Sequence, residues 1–159
     1  MKIILCVKHN FIVIKDIIFI VLGETALQER IGAVEVRFIP YQTDPAIIAR
    51  YYQAADVYMH AAQVETFGNT IVEALACGTP VVATAVGAIP ELIEESSTGF
   101  LVPPKDADMM ASRIVELISD QTLSNEMGIR AAKAASARFS LERLVSDYLN
   151  WYKHIVKKS

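Results

Sequence analysis

Cysteine is scarce in this chain: Cys6 and Cys77 are the only two in 159 residues, far apart and in no metal-binding or redox spacing. A disulfide framework is therefore excluded as the organising device, and a reducing, cytoplasmic setting is expected. Positive charge is not in excess either. Fifteen Lys and Arg against 18 Asp and Glu leave a net charge of −3, so there is no basic footprint and no nucleic-acid partner is expected. Long apolar runs are missing as well. Residues 11–22 are the most hydrophobic stretch, but Lys15 and Asp16 interrupt them, and a bilayer takes about 20 apolar residues. A signal peptide fits poorly, because Lys8 and His9 break the first apolar run and no small-residue cleavage site follows. No His/Cys cluster occurs, and the one Asp-x-Asp, Asp106-Ala107-Asp108, stands at an expected helix start, so no metal is expected. Internal repeats, low-complexity segments and flexible linkers are absent too. What is present is 53% hydrophobic and 21% charged residues, the composition of one well-cored domain.

Along the chain, short β-branched runs at residues 2–7 and 11–14 read as strand or edge structure. Residues 17–22 form a continuous apolar run ending at Gly23, as in a strand buried on both faces. A short helix is expected over 25–31, stopped by Gly32, followed by a strand over 34–39 closed by Pro40. Asp44 caps a helix that opens with Pro45. That helix carries Ile47, Ile48, Tyr51 and Tyr52, and a strand over 56–60 comes next. After the central segment come a loop and short helix (86–94), a strand (99–102) and three carboxy-terminal helices opening at Asp106, Asp120 and Ser140. Tyr51-Tyr52 and Met109-Met110 are assigned to the core. Strands alternating with helices mean an α/β domain with a mostly parallel sheet flanked by helices.

Residues 65–84, ETFGNTIVEALACGTPVVAT, are the centre of this order. They read as loop, helix, Gly stop and strand, with Glu65 in the loop and Glu73 about a turn and a half into the helix. In such sheets ligands bind at the carboxyl ends of strands, where helices begin. A helix amino end offers free N–H groups to a phosphate, and acceptor-only carboxylates suit hydroxyl donors. Phosphate and hydroxyls together describe a sugar nucleotide.

The segment resembles the signature of group 1 (family 4) glycosyltransferases, retaining enzymes with two Rossmann-like domains in the GT-B architecture. Their carboxy-terminal domain carries a Glu-x7-Glu motif, matched here by Glu65, Phe67, Gly68, Glu73, Ala74, Ala76, Gly78, Pro80, Val81, Val82 and Ala83. The resemblance extends from about Ile17 to Tyr152. It implies a Rossmann-like domain over 17–159, equivalent to the carboxy-terminal, donor-binding half of a GT-B fold, preceded by a truncated or atypical segment, 1–16. By the same resemblance Glu73 holds the nucleotide ribose, and Glu65 faces the donor sugar as the catalytic acid group. Phe67, Gly68, Asn69, Thr70 and Gly87 would approach the sugar and diphosphate. The second glycine of the family's Gly-Gly loop is Ala88 here. Glu91 is either a helix-start acid or a ligand. His60 stands where the family usually has an aliphatic residue, and reads as a supporting core histidine rather than a catalytic base.

The resemblance also shows what is missing. The family's Arg- and Lys-bearing stretch after the first strand, which clamps the diphosphate, has no counterpart before Ile17. Lys2, Lys8 and Lys15 are candidates by position alone. No acceptor-binding half fits in the chain, so independent turnover is not expected. The implied function is transfer of a sugar from a nucleotide diphosphate sugar, the donor substrate, to an acceptor with retention and without a cofactor. The partner would be a separate acceptor-binding domain, with an acceptor at a membrane surface by family habit. The alternatives are a non-catalytic nucleotide-sugar-binding module, and a truncated remnant that self-associates through its uncovered face.

Overall fold

Seven strands form one sheet in the order β3-β4-β2-β1-β5-β6-β7. They are β1 (Ile3–Lys8), β2 (Ile17–Leu22), β3 (Glu29–Ile31), β4 (Val34–Ile39), β5 (Val57–His60), β6 (Val81–Thr84) and β7 (Gly99–Val102). The structure, a computed structural model, describes the backbone of residues 3–8 and all of 17–32 and 34–156. The expected strand over 11–14 lies outside the described residues.

β2, β4, β5, β6 and β7 share one direction, and β1 and β3 oppose it. The reversal of β1 has a simple cause. Only residues 9–16 join it to β2, whereas a parallel return needs a crossover of about a dozen residues or more. β1 nevertheless occupies the middle of the sheet, pairing Ile3 with Leu22 on one side and Ile4 with Met59 on the other.

The expected helix over 25–31 is not formed. Residues 24–28 are irregular, and Glu29–Ile31 pair with Val34–Val36 as an antiparallel edge turned at Gly32 (φ 62°). So short a segment cannot sustain a helix in water without a buried face. Leu27 and Ile31 are 91% and 64% exposed, so this one has no such face. The free edge of β4 offers backbone partners instead.

Two cores follow from the period-2 alternation of the strands. On one face Tyr58, Val81 and Ala83 meet helices α1 (Pro45–Ala54), α2 (Asn69–Ala76) and α5 (Gln121–Phe139), with Tyr52, Ile71, Leu75 and Ala131. On the other, Val57, Val82 and Phe100 meet α4 (Ala107–Ser119) through Met110, Ile114 and Leu117. A one-turn helix, α3 (Ile89–Leu92), links β6 to β7. β2 contributes Ile20 and Leu22 to the first core, Ile17 and Phe19 to the second, so it is packed on both faces as its sequence implies.

Three helix starts are set by side chains. Asp44, Asp106 and Asp120 each accept an N–H of the first turn of α1, α4 and α5. Met109 departs from its core assignment. It lies one position off the stripe of Met110, Ile114 and Leu117, on the face of Arg113 and Glu116, and is exposed. The last helix, α6 (Leu141–Val156), buries no residue, and Leu144, Tyr148, Trp151 and Ile155 line a bare apolar stripe. Among the described residues, no helix is long and apolar enough to cross a membrane.

Candidate functional site

β5 ends at His60, and residues 61–68 carry the chain over the carboxyl edge of the sheet into α2. Gly68 is the residue before the helix, in the left-handed region at φ 93°, where a side chain would be strained. A Cβ there would also press on Ile71 and Leu92. No side chain caps α2, and among the described residues the N–H groups of Gly68, Asn69 and Thr70 have no acceptor. The positive end of this helix is thus open at the edge of the sheet.

Glu65 does not cap α2. Its Oε1 accepts the N–H groups of Thr66 (3.0 Å) and Phe67 (3.3 Å), closing its own loop. Its Oε2 lies 3.3 Å from His60 Nε2, an ionic distance without the alignment of a good hydrogen bond, since Nε2 is enclosed and has no well-directed partner. Gly87 (φ 55°) presses on the backbone of Glu65 from the β6–α3 loop, and a Cβ there would collide with the Glu65 carbonyl oxygen. Gly87 therefore acts on the site by close backbone approach. Ala88 needs no such freedom, having ordinary helical angles ahead of α3.

Glu73 is exposed on α2 and accepts a hydrogen bond from the Tyr52 hydroxyl at 3.2 Å. It stands at the mouth of a cavity of about 290 Å³ between α1 and α2, lined by Pro45, Ile48, Tyr52, Ala76 and Cys77 among others. Burial, with the neighbouring phenol and carboxylate, holds the Tyr52 hydroxyl protonated far above its ordinary range. Burial also raises the Cys77 thiol, helped by the Glu73 charge, so Cys77 is no ready nucleophile. Tyr52 and Tyr58 meet edge to face with centroids 5.6 Å apart. Among the described residues neither carboxylate is paired with a lysine or arginine.

Glu65, Phe67, Gly68, Asn69, Thr70 and Gly87 thus surround one helix start, with Glu73 below it at the α1–α2 cavity. Thr70 is buried, and its hydroxyl acts on the Tyr58 phenol against the effect of burial. The Phe67 ring is partly exposed and packs edge-on against Phe139. Glu91 is exposed in α3, and its carbonyl accepts from Arg138. Lys8 is placed away from the site. It pairs with Ile17 at the amino end of β2, the opposite edge of the sheet from His60. Lys2 and Lys15 lie outside the described residues. Tyr52, assigned to the core by sequence, bonds Glu73, and Tyr58 lies against His60. The placement of Tyr58 and His60 two apart on one strand signals a shared face. Another cavity, of about 570 Å³ and bordered by Gln53, Asp56, Asn125 and Gly128, is at the amino ends of the strands. It lacks convergent carboxylates and an open helix start.

Residues 11–134 match the profile of the family described as Glycosyl transferases group 1. The chain belongs to this family. A group 1 relative, the N-acetyl-alpha-D-glucosaminyl L-malate synthase of Bacillus anthracis, is 33% identical over 110 residues, 69% of this chain and 29% of that protein. Sucrose-phosphate synthase from Thermosynechococcus elongatus superposes with a TM-score of 0.73 at 34% identity, over 78% of this chain and 31% of that one. The Anabaena protein HepE, solved with UDP-glucose, superposes with a TM-score of 0.64 at 31% identity, over 72% of this chain and 32% of that one. The chain spans about a third of the length of these group 1 proteins. Its fold is that of one Rossmann-like half of their GT-B architecture.

Proposed function

We propose that this domain, residues 17–159 with the atypical segment 1–16 ahead of it, binds the nucleotide diphosphate sugar donor of a group 1 glycosyltransferase. The observation that carries the reading is the uncapped start of α2 flanked by Glu65 and Glu73. The free N–H groups of Gly68, Asn69 and Thr70 suit the diphosphate. Glu73, oriented by Tyr52 at the α1–α2 cavity, suits the ribose hydroxyls. Glu65, on the other side of the helix start, suits the sugar, where its charge would stabilise an oxocarbenium-like transition state. Gly87 supports this group by holding the Glu65 backbone. The binding of UDP-glucose by HepE is in keeping with such a donor.

Transfer with retention would need an acceptor-binding half. The bare stripe of α6 supports a partner domain, since an amphipathic helix is stabilised by burying its apolar face. A nucleotide-sugar donor accords with a cytoplasmic setting, and the acceptor would be brought by the partner, at a membrane surface if it is lipid-linked. Calorimetric titration with UDP, GDP and ADP tests the reading. Binding of one of them, weakened about tenfold or more in Glu73→Ala by loss of charged hydrogen bonds, is expected. No heat with any of the three would overturn it.

A further inference from the structure

We propose that His60 is a positioning residue for Glu65, holding the outer oxygen of that carboxylate in place for the donor sugar through a ring whose tautomer Tyr58 sets. The proposal rests on the donor-site reading above and adds a residue to it. Tyr58 and His60 project from the same face of β5, and the phenol oxygen lies 2.9 Å from His60 Nδ1. One of these two atoms must donate to the other. If Nδ1 held the proton, Nε2 would turn a lone pair toward Glu65 Oε2 at 3.3 Å, and a carboxylate has only lone pairs to offer in return. The arrangement without repulsion has the Tyr58 hydroxyl donating to Nδ1 and the ring proton on Nε2, facing Glu65.

The surroundings keep the ring in this role. From α2, the Thr70 hydroxyl and the Glu73 charge act on Tyr58; from α1, Tyr52 packs edge-on against it; from β6, the Thr84 hydroxyl donates to the Ala62 carbonyl at 2.5 Å and lies 3.4 Å from that of His60. Burial favours the neutral imidazole, against the opposing effect of Glu65.

The carboxylate geometry shows why a third donor matters. Oε1 is held twice, by Thr66 and Phe67, whereas Oε2 has only His60 among the described residues. A carboxylate has about four lone-pair sites. With Nε2 donating as well, three donors on the protein would leave one site for a sugar hydroxyl and resist rotation of the group. At 3.3 Å and off line, the Nε2–Oε2 approach becomes the third hydrogen bond when the two groups align.

The test separates sugar from nucleotide. Wild type, His60→Leu and His60→Gln are titrated with UDP, GDP and ADP and with the glucose conjugate of each. For the nucleotide that binds, His60→Leu is expected to lower affinity for the glucose conjugate about tenfold and leave the parent diphosphate unchanged. His60→Gln, whose amide can again donate toward Glu65, should recover most of the loss. Equal loss for both ligands, no loss, or a Gln variant that behaves like Leu would overturn the proposal while the donor-site reading stands. A wild type that binds no diphosphate would overturn both. Nitrogen-15 spectra of the imidazole of the wild-type chain give a ligand-free check. A proton on Nε2 whose resonance moves in Glu65→Ala is expected, and a proton on Nδ1 would contradict the proposal.

Discussion

The half of the sheet made by β5, β6 and β7 and the half made by β3, β4, β2 and β1 are built by different rules. In the first, each strand returns parallel through a helix, and Val57, Val81 and Val82 are fully enclosed. In the second, two antiparallel pairs are joined by short reversals, and β3 is exposed throughout. Every element of the candidate site belongs to the first half or to the helices that cross over it. A parallel crossover puts a helix start at the carboxyl edge of the sheet, where charge and free N–H groups can meet a ligand. A hairpin does not. Among the described residues β2 is followed by β3 rather than by a helix, so no helix start stands at the carboxyl end of β2.

Paired glycines break this comparison most sharply. Gly87→Ala drives a methyl into the Glu65 carbonyl and forces a left-handed residue; denaturant titration should show a loss of more than about 3 kcal/mol. Gly32→Ala, with nothing near its Cβ and φ 62°, should cost only the left-handed penalty, about 1 kcal/mol. Next in size are the core changes. Val82→Ala removes enclosed methyls between β6 and α4 and should cost on the order of 2 kcal/mol, while Ile31→Ala in β3 should stay within about 0.5 kcal/mol. If the two glycines or the two apolar residues gave equal losses, the halves would not differ as described.

The smallest effect is a pH dependence confined to the site half. Burial lowers the pKa of His60 from 6.5, outweighing the charge of Glu65. The unfolded chain then takes up this proton first as pH falls. The stability conferred by the neutral ring is complete above about pH 6.5 and is lost as the pH drops through the folded value. Thermal melts between about pH 7 and 5 should show the wild type losing stability relative to His60→Leu. The opposite slope would mean that the pairing with Glu65 dominates the buried ring.

Most of the candidate site was legible because it is local. Glu65, Gly68, Asn69, Thr70 and Glu73 fall on one loop and two turns of one helix, so spacing alone places them. Asp44-Pro45 and Asp106 mark their helices by chemistry that acts within three residues. The features that sequence did not reveal are non-local. The bond from Tyr52 to Glu73 spans 21 positions, and only the packing of α1 against α2 creates it. The segment 25–31 has helix-forming residues, but its fate was decided by the unpaired edge of β4, which its own letters do not show. Met109 and Met110 are identical residues separated by about 100° of helix rotation, enough to put one in the core and the other in water. The direction of β1 depended on the length of the connection rather than on the strand itself.

The central claim is that the donor engages the open start of α2. Backbone amide NMR of the chain, titrated with UDP, GDP and ADP, tests it most directly. The account predicts that one diphosphate moves the resonances of Gly68, Asn69 and Thr70 first and furthest, while Gly128, at the larger cavity on the opposite edge, stays still. Shifts centred on Gln53, Asn125 and Gly128 with the α2 amides unmoved would contradict it.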